Sequence, residues 1–139
     1  MLGPSAHTDT FTRDNLPPKD QWPDLILDRP EFQYPDYINV GVELTDRMVE
    51  RGFGDNTALI GNGRKRTYKE LTDWTNRLAH ALVEDYGLEP GNRVLIRSGN
   101  NPAMVAIWLA VTKAGGVAVN TMPMPVSYTH LTLPTILRV

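Results

Sequence analysis

The feature of this sequence that most limits its fold is a strand–helix–strand run near its carboxyl end. Residues 93–97 (RVLIR) predict a strand with an apolar centre, and residues 117–119 (VAV) predict a second one. Between them, Asn101 followed by Pro102 is typical of a helix start, and the helix from Met104 to Val111 is apolar almost all round. Two strands joined by a helix of this length predict a parallel βαβ unit in an α/β fold.

This unit is not a complete sheet by itself. Buried parallel strands need neighbouring strands at both edges and helices on both faces. After Met124 the sequence supplies no further element of that kind. We therefore expect residues 40–124 to be the incomplete amino-terminal part of a larger α/β domain, made of a β-hairpin, an amphipathic helix and the parallel βαβ unit.

A helix and a β-hairpin are predicted upstream of this unit. Apolar residues with helical spacing predict a first helix from Val40 to Glu50, which glycines end. Residues 57–60 then predict a short strand, residues 61–63 (GNG) a tight turn, and residues 64–68 the returning strand. The basic residues of the returning strand are too few to indicate a nucleic-acid site and are expected to be solvated.

The helix after the hairpin has the clearest local signals. Thr67 and Glu70 have the spacing of a capping box, in which the hydroxyl accepts from one backbone amide and the carboxylate accepts from another. An apolar stripe runs from Leu71 to Leu82 with helical spacing. Gly87 is then placed to supply the left-handed residue that ends such a helix.

Residues 1–39 form a separate region that is rich in proline and aromatic residues and has no sustained period. Its prolines exclude a long helix. We expect an ordered amino-terminal arm that lies across a larger body, contains only short helical turns, and buries aromatic side chains such as Trp22, Tyr34 and Tyr37. The alternative that stays open is an unstructured tail.

Residues 125–139 (PVSYTHLTLPTILRV) differ from the rest of the chain, since they contain no acidic residue and no helical period. Residues 127–133 alternate like a strand. However, residues 126–135 also match, in a single reading frame, the translation of a transposase-type sequencing adapter. We therefore interpret 125–139 as non-native read-through, which places the end of the genuine chain near Met124.

Charge and composition exclude several functional classes. The formal net charge is −2 with no long run of one sign, so we expect no nucleic-acid partner and no membrane partner. The chain has no cysteine, which excludes disulfides, thiolate metal sites and cysteine nucleophiles. We see no secretory signal and no apolar run of about 18 residues. These features favour a cytoplasmic protein and leave its oligomeric state unknown.

Two segments resemble conserved motifs of one enzyme family. Residues 66–71 (RTYKEL) resemble the first core motif of the adenylate-forming enzymes, the acyl-CoA synthetases and their relatives, and residues 109–120 (LAVTKAGGVAVN) resemble the second. Residues 91–94 (GNRV) and 100–102 (NNP) lie between them, as they do in that family. The proline-rich opening and residues 32–40 (FQYPDYINV) resemble a group of aromatic-acid ligases that includes 2-aminobenzoate–CoA ligase.

The resemblance implies that the parent protein is an AMP-forming acid–CoA ligase. In that reaction a carboxylate attacks the α-phosphorus of ATP to give an acyl-adenylate and pyrophosphate, and coenzyme A then displaces AMP to give the thioester. ATP, Mg²⁺ and coenzyme A are the cofactors implied for the parent. The implied substrate is a small carboxylic acid, an aromatic one such as 2-aminobenzoate or benzoate.

The parts of the family that handle ATP have no counterpart before Met124. These are a Ser/Thr-Gly phosphate loop ending in Pro-Lys, an adenine-binding Tyr-Gly-x-Thr-Glu segment and a carboxy-terminal catalytic lysine. The two motifs that match are mostly architectural. We therefore assign no catalytic, cofactor-binding or metal-binding residue to this chain, and we expect it to be inactive by itself.

Single residues that suggest chemistry have simpler explanations. The Gly-rich residues 61–63 lie between two strands, so they indicate a hairpin turn and not a phosphate loop. His80 lies on a helix without a second histidine or any cysteine one turn away. Ser98 lacks the glycine two residues earlier that a nucleophile elbow needs. Lys113 is explained by its position near a helix carboxyl end, where the helix dipole favours a cation.

The asparagine pair of residues 100–101 keeps two interpretations. It follows the carboxyl end of a predicted parallel strand, which is the edge where open α/β sheets bind ligands. A ligand-lining role in the full enzyme therefore stays open beside a plain helix cap.

Two other functional classes also stay open. The chain could be a small stand-alone α/β binding or regulatory module with no catalytic activity, which predicts that residues 1–124 fold cooperatively as a monomer. An incomplete domain predicts aggregation or a molten state instead, because strand edges would be unpaired. A third class is an acyl-adenylating relative that does not use coenzyme A, such as a peptide-synthetase or luciferase-like protein.

Overall fold

A computed structural model of the chain describes residues 5–24, 26 and 29–121. It contains an antiparallel two-stranded sheet and a parallel one. None of the helices in these ranges has the length and apolar character needed to cross a membrane. Residues 125–139, for which the sequence predicts an adapter origin, lie outside the described residues. In chain order the helices and strands are α1 (Phe11–Asp14), α2 (Val40–Glu43), α3 (Asp46–Met48), β1 (Thr57–Gly61), β2 (Arg64–Thr67), α4 (Tyr68–Glu84), β3 (Arg93–Arg97), α5 (Pro102–Lys113) and β4 (Val117–Thr121).

The parallel βαβ unit predicted from the sequence is present. β3 and β4 pair in parallel at every residue, with Leu95 opposite Val119. α5 begins after Asn101, whose side-chain oxygen accepts a hydrogen bond from the backbone N–H of Met104 at 3.0 Å. Pro102 occupies the first helical position, where its missing N–H leaves no donor unsatisfied. Cap, proline and helix therefore form as the sequence predicts.

The hydrophobic core lies between α4 and α5. Its buried members are Leu71 of α4 together with Ala106 and Leu109 of α5, which are 3%, 0% and 3% exposed. α5 also contacts α2 and the strands β1, β3 and β4, which explains why it is apolar almost all round. The partly buried hydrophobic residues packed against this core are Ala58, Leu59, Trp74, Leu78, Val105 and Trp108.

The predicted capping box of α4 is confirmed. The Thr67 hydroxyl accepts from the backbone N–H of Glu70 at 3.2 Å, and the Glu70 carboxylate accepts from the backbone N–H of Thr67 at 2.9 Å. At the other end, Gly87 has a φ of +64°, and the N–H of Leu88 donates to the carbonyl of Leu82 at 2.9 Å. Both ends of α4 are therefore fixed by the residues that the sequence singles out.

The predicted hairpin is also confirmed, with Asn62 and Gly63 as its two-residue turn. Both have positive φ, +53° and +70°, as in the turns that match the twist of paired strands. Gly61 lies directly against Pro102 at the start of α5. A Cβ atom on Gly61 would lie 2.6 Å from the Cγ atom of Pro102, so this position has no room for a side chain.

The prediction of one helix from Val40 to Glu50 is wrong. α2 and α3 are separate, because Thr45 between them has non-helical φ and ψ of −125° and −79°. The buried Thr45 hydroxyl is shared between the Gly41 carbonyl at 2.5 Å and the Asp46 carboxylate at 2.9 Å. Such local side-chain bonds compete with the helical hydrogen-bond ladder, which accounts for the break. After α3 the chain continues in a π-helical turn, Val49–Phe53.

The described part of the amino-terminal arm contains three short helical turns, namely α1 and the 3₁₀ turns Lys19–Gln21 and Pro30–Phe32. It differs from the expectation in the placement of its aromatic residues. Tyr34 and Tyr37 are exposed, and so is Phe32. The Trp22 indole N–H donates to the Pro17 carbonyl at 2.7 Å, which is a bond within the arm. The core of the described residues lies between α4 and α5, so it does not cover these rings.

Candidate functional site

The carboxyl ends of the two parallel strands form the position where open α/β sheets bind ligands. β3 ends at Arg97 and β4 ends at Thr121, and these two residues are paired in register. The loop 98–101 follows β3 directly, and Asn120 is the next polar residue on β4. We define these residues, 98–101 with Asn120 and Thr121, as the carboxyl-edge site. It presents hydroxyl and amide groups.

The hydrogen bonds of Ser98 show that it is held by the scaffold. Its hydroxyl donates to the backbone carbonyl of Gly99 at 3.1 Å and accepts from the side-chain amide of Asn101 at 3.3 Å. Neither partner is a base that could take the serine proton, so the arrangement does not activate a nucleophile. The same Asn101 side chain caps α5 through its oxygen. Asn101 therefore fixes both the loop and the helix start.

A cleft of about 370 Å³ lies between the hairpin and the start of α5. The turn residue Asn62 lines one side of it, and Asn100 and Asn101 line the other, with Leu59 and Met104 among the apolar residues below them. The structure thus brings the hairpin turn and the asparagine pair to one opening. Sequence reasoning did not connect these segments, because nothing in their local pattern reports their distance in space.

The shifted pKa of Glu70 has a structural cause. The hydrogen bond from the backbone N–H of Thr67, together with the side chain of Arg64 at 2.9 Å, holds the pKa of the Glu70 carboxyl below its usual range. Strongly shifted pKa values often mark active sites. Here the shift follows from the helix cap and an exposed ion pair, so it does not identify a general acid or base.

Lys113 makes side-chain contacts in addition to the favourable interaction with the helix dipole that its position predicts. Its side chain is 11% exposed, forms an ion pair with Asp46 and donates to the side-chain oxygen of Asn76 at 2.7 Å. Partial burial opposes ionisation of Asp46, but hydrogen bonds from Lys113 and Thr45 hold the pKa of its carboxyl below the usual range. Asn39 donates to the Lys113 carbonyl at 3.0 Å. Lys113 therefore joins α3, α4 and α5, a role that sequence reasoning missed.

The remaining single residues lie where the simpler explanations place them. His80 is exposed on α4, and His7 is exposed in the arm. Within the described ranges, no group of three or more His, Cys, Asp or Glu side chains could hold a metal ion. Asn62 and Gly63 form the turn between the antiparallel strands β1 and β2, and β2 follows this turn where a phosphate loop would need a helix.

The two motif-like segments take architectural positions. Residues 66–71 end β2 and begin the capped helix α4. Residues 109–120 end α5, turn at Gly115 with a φ of +81°, and continue into β4. Both segments therefore connect a helix to a strand, and their side chains build the α4–α5 core and the parallel sheet.

Comparison with protein families gives a match to the AMP-binding enzyme family over residues 46–137. The matched range begins in α3 and includes both motif-like segments. It also extends past Met124, so this match does not itself mark a boundary at that residue.

Two relatives in sequence are ligases of hydroxybenzoates. The 3-hydroxybenzoate–CoA/4-hydroxybenzoate–CoA ligase of Thauera aromatica is 35% identical over 89 residues, which cover 64% of this chain and 17% of that protein. The 3-hydroxybenzoate–CoA ligase of Aromatoleum sp. (strain CIB) is 34% identical over 82 residues, or 59% of this chain and 16% of that protein. The chain therefore spans less than a fifth of the length of these relatives.

A solved structure with a similar fold is that of the Klebsiella oxytoca NpsA N-terminal subdomain in complex with 3-hydroxyanthranilyl-AMSN. The TM-score is 0.60 and the sequence identity is 31%, over 70% of this chain and 25% of that chain. The helices and small sheets described above thus correspond to one part of an adenylate-forming enzyme domain.

Proposed function

Because this chain belongs to the AMP-binding enzyme family, we propose that its parent protein is an ATP-dependent acid–CoA ligase that acts on an aromatic acid. The observation that carries this proposal is the ordered pair of family motifs, residues 66–71 and 109–120, each at a helix–strand junction of the matching fold. The two hydroxybenzoate–CoA ligases among the relatives support an aromatic substrate. The 3-hydroxyanthranilyl group, a hydroxylated 2-aminobenzoyl group, that the similar structure holds supports 2-aminobenzoate as one candidate.

In this proposal the parent converts a carboxylate, ATP and coenzyme A into an acyl-CoA, AMP and pyrophosphate. ATP, Mg²⁺ and coenzyme A are its proposed cofactors, and the cytoplasm is its proposed location. The described residues do not fit a Mg²⁺ site, since they bring together no acidic cluster. They also form no loop that could hold phosphates, so we assign no step of the reaction to them. Their proposed role is to build and orient the first part of the domain.

We also propose that the 139-residue chain is catalytically inactive. The Ser98 hydroxyl is bonded to the backbone and to Asn101, and the carboxylates of Glu70 and Asp46 serve a helix cap and an ion pair. The proposed organisation is an amino-terminal arm over 1–39, a part of the AMP-binding domain over 40–124, and a non-native segment over 125–139.

The test begins with the gene. Sequencing genomic DNA beyond codon 124 from an independent clone should give an open reading frame that continues into a Ser/Thr-Gly-rich loop ending in Pro-Lys. The full-length product should then show acid-dependent exchange of pyrophosphate into ATP with 2-aminobenzoate, benzoate or 3-hydroxybenzoate, and should form the CoA thioester. Acetate serves as the non-aromatic comparison. A stop codon directly after Met124, or a full-length protein that exchanges pyrophosphate only with acetate, would contradict the proposal.

The same assay separates a relative that does not use coenzyme A. Such a protein would exchange pyrophosphate with the aromatic acid but form no thioester when coenzyme A is added. The stand-alone module is separated by folding. It predicts a cooperative monomer for residues 1–124, whereas the exposed Leu95 and Val119 on one face of the parallel sheet favour an incomplete domain.

A further inference from the structure

The start of the arm contacts the body through its backbone. The N–H groups of Thr8 and Asp9 both donate to the carbonyl of Pro90, at 2.9 Å each. Pro90 belongs to the loop that leads into β3, and it is more than eighty positions away in the sequence. Closing so long a loop costs entropy, so these two bonds need support from further contacts.

The side chain of Asp9 supplies that support. Its carboxylate pairs with the guanidinium of Arg93 and accepts from the side-chain amide of Asn92 at 2.9 Å. Its other oxygen accepts from the backbone N–H of Phe11 at 3.0 Å, which shapes the start of α1. The Phe11 ring lies over the Arg93 guanidinium, 4.7 Å from its carbon to the ring centroid. One carboxylate and one ring thus hold the same arginine.

The shape of the loop makes room for the arm. Gly91 is buried with a φ of +97°, and a Cβ atom on it would lie 2.1 Å from the backbone oxygen of Asp9. Only glycine permits both this backbone conformation and this approach. We define the notch as residues 90–93, and the contacts above fill it with residues 8–11.

The notch lies at the amino edge of the parallel sheet. The N–H of Gly91 donates to the backbone carbonyl of Gly115, and the N–H of Val117 donates to the backbone carbonyl of Asn92, both at 2.8 Å. The notch is therefore hydrogen-bonded to the start of β4. The carboxyl-edge site lies at the other end of the same two strands. An arm anchored in the notch therefore starts away from the edge where a ligand would bind.

We propose that residues 8–11 are a docking motif, that the notch is its dedicated receptor, and that this contact anchors the amino-terminal arm to the amino edge of the sheet. The key pair is Asp9 with Arg93, and Asn92 and Phe11 complete it. The proposal concerns only the arm and the notch, and it holds whichever reaction the parent catalyses.

Hydrogen–deuterium exchange on the full chain tests it at single amides. The Thr8 and Asp9 amides should be protected in the wild type, and Asp9→Asn or Arg93→Gln should raise their exchange by about tenfold, since a charge-assisted bond is lost. The double variant should raise exchange by less than the two single effects combined, because both changes remove the Asp9–Arg93 ion pair. Asp20→Asn, an exposed carboxylate in the same arm, is the matched control and should leave both amides unchanged.

Amides of α4 report in the same experiment whether the body is folded. Protection of α4 without protection of residues 8 and 9 in the wild type would overturn the proposal. So would equal effects of Asp9→Asn and Asp20→Asn. If α4 is itself unprotected in the 139-residue chain, the measurement is made on the full-length protein, where unprotected amides at 8 and 9 would likewise overturn it.

Discussion

The helix layer and the parallel sheet of this chain differ in how completely they are covered. In α5, Ala106 and Ala110 are fully buried, and Leu109 is 3% exposed between α4 and its other neighbours. On the sheet, the paired residues Leu95 and Val119 are 55% and 39% exposed. Both regions carry apolar side chains in sequence. The difference lies in the number of covering elements that the described residues provide.

This contrast explains why a chain can have well-formed local structure without a finished fold. The α4–α5 layer is covered, since α5 contacts α2, β1, β3 and β4 as well as α4. The parallel sheet has α5 on one face, whereas parallel sheets in complete domains are covered on both. Stability should therefore depend strongly on the helix layer and weakly on the outer face of the sheet. Substitutions can test that asymmetry.

The largest effect is expected for Leu109→Ala. Removing this side chain leaves a cavity against Leu71, and the free energy of unfolding should fall by about 2–5 kcal/mol. When the 139-residue chain unfolds cooperatively, urea unfolding followed by circular dichroism measures the change. If the chain is molten, hydrogen exchange at the α4 amides measures it as local opening. Leu95→Ala removes the same atoms from the exposed sheet face and is the matched control, with an expected loss below about 1 kcal/mol. Equal losses at the two positions would show that the sheet face is covered.

A smaller loss is expected for Lys113→Met, which keeps the apolar stem and removes the ammonium group. Asp46 and Asn76 then lose their shared partner, and the free energy of unfolding should fall by about 1–3 kcal/mol. Lys69→Ala, on the exposed surface of α4, is the control and should stay within about 0.5 kcal/mol. If both variants unfold at the same urea concentration as the wild type, Lys113 does not join the three helices energetically.

The capping box should contribute less again. Thr67→Ala removes the hydroxyl that accepts from the Glu70 amide, and it should lower the free energy of unfolding by about 1 kcal/mol. Thr67→Ser retains the acceptor and is the matched control, with a loss of a few tenths of a kcal/mol. A serine variant that unfolds as easily as the alanine variant would assign the effect to the lost methyl group.

Features that neighbouring residues determine could be predicted from the sequence, whereas features that depend on contacts between distant residues could not. The hairpin turn at Asn62 and Gly63, the cap of α4 and the order β3–α5–β4 all follow from neighbouring residues. The break at Thr45 does not follow from neighbouring residues alone, because Gly41, whose carbonyl accepts from the Thr45 hydroxyl, is packed against the distant helix α5. The contacts of Lys113 and Asp9 join residues far apart in the chain, and no periodic pattern encodes them.

The candidate site also has one part that the local sequence predicts and one part that depends on tertiary contacts. The position of the asparagine pair at the carboxyl edge was predictable, since it follows from strand direction. The cleft that the pair shares with the hairpin turn depends on the close contact of Gly61 with Pro102, which is a tertiary event. Motif order predicted the family although it named no catalytic residue, because the matching segments are the ones that build the scaffold.

The smallest effect on the free energy of unfolding is expected for Asp46→Asn, and it should depend on pH. The folded-state pKa of Asp46 is lowered, so the stabilisation from its ionised form is present above the ordinary pKa of an aspartate and is lost as the pH falls through the folded value. Asp46→Asn should therefore cost about 0.5 kcal/mol near neutral pH and progressively less below about pH 4. In the Lys113→Met background the cost of Asp46→Asn should be smaller at neutral pH, because the partner of the carboxylate is gone. Urea midpoints across this pH range measure both, and a cost that grew in acid would reverse the assigned sign.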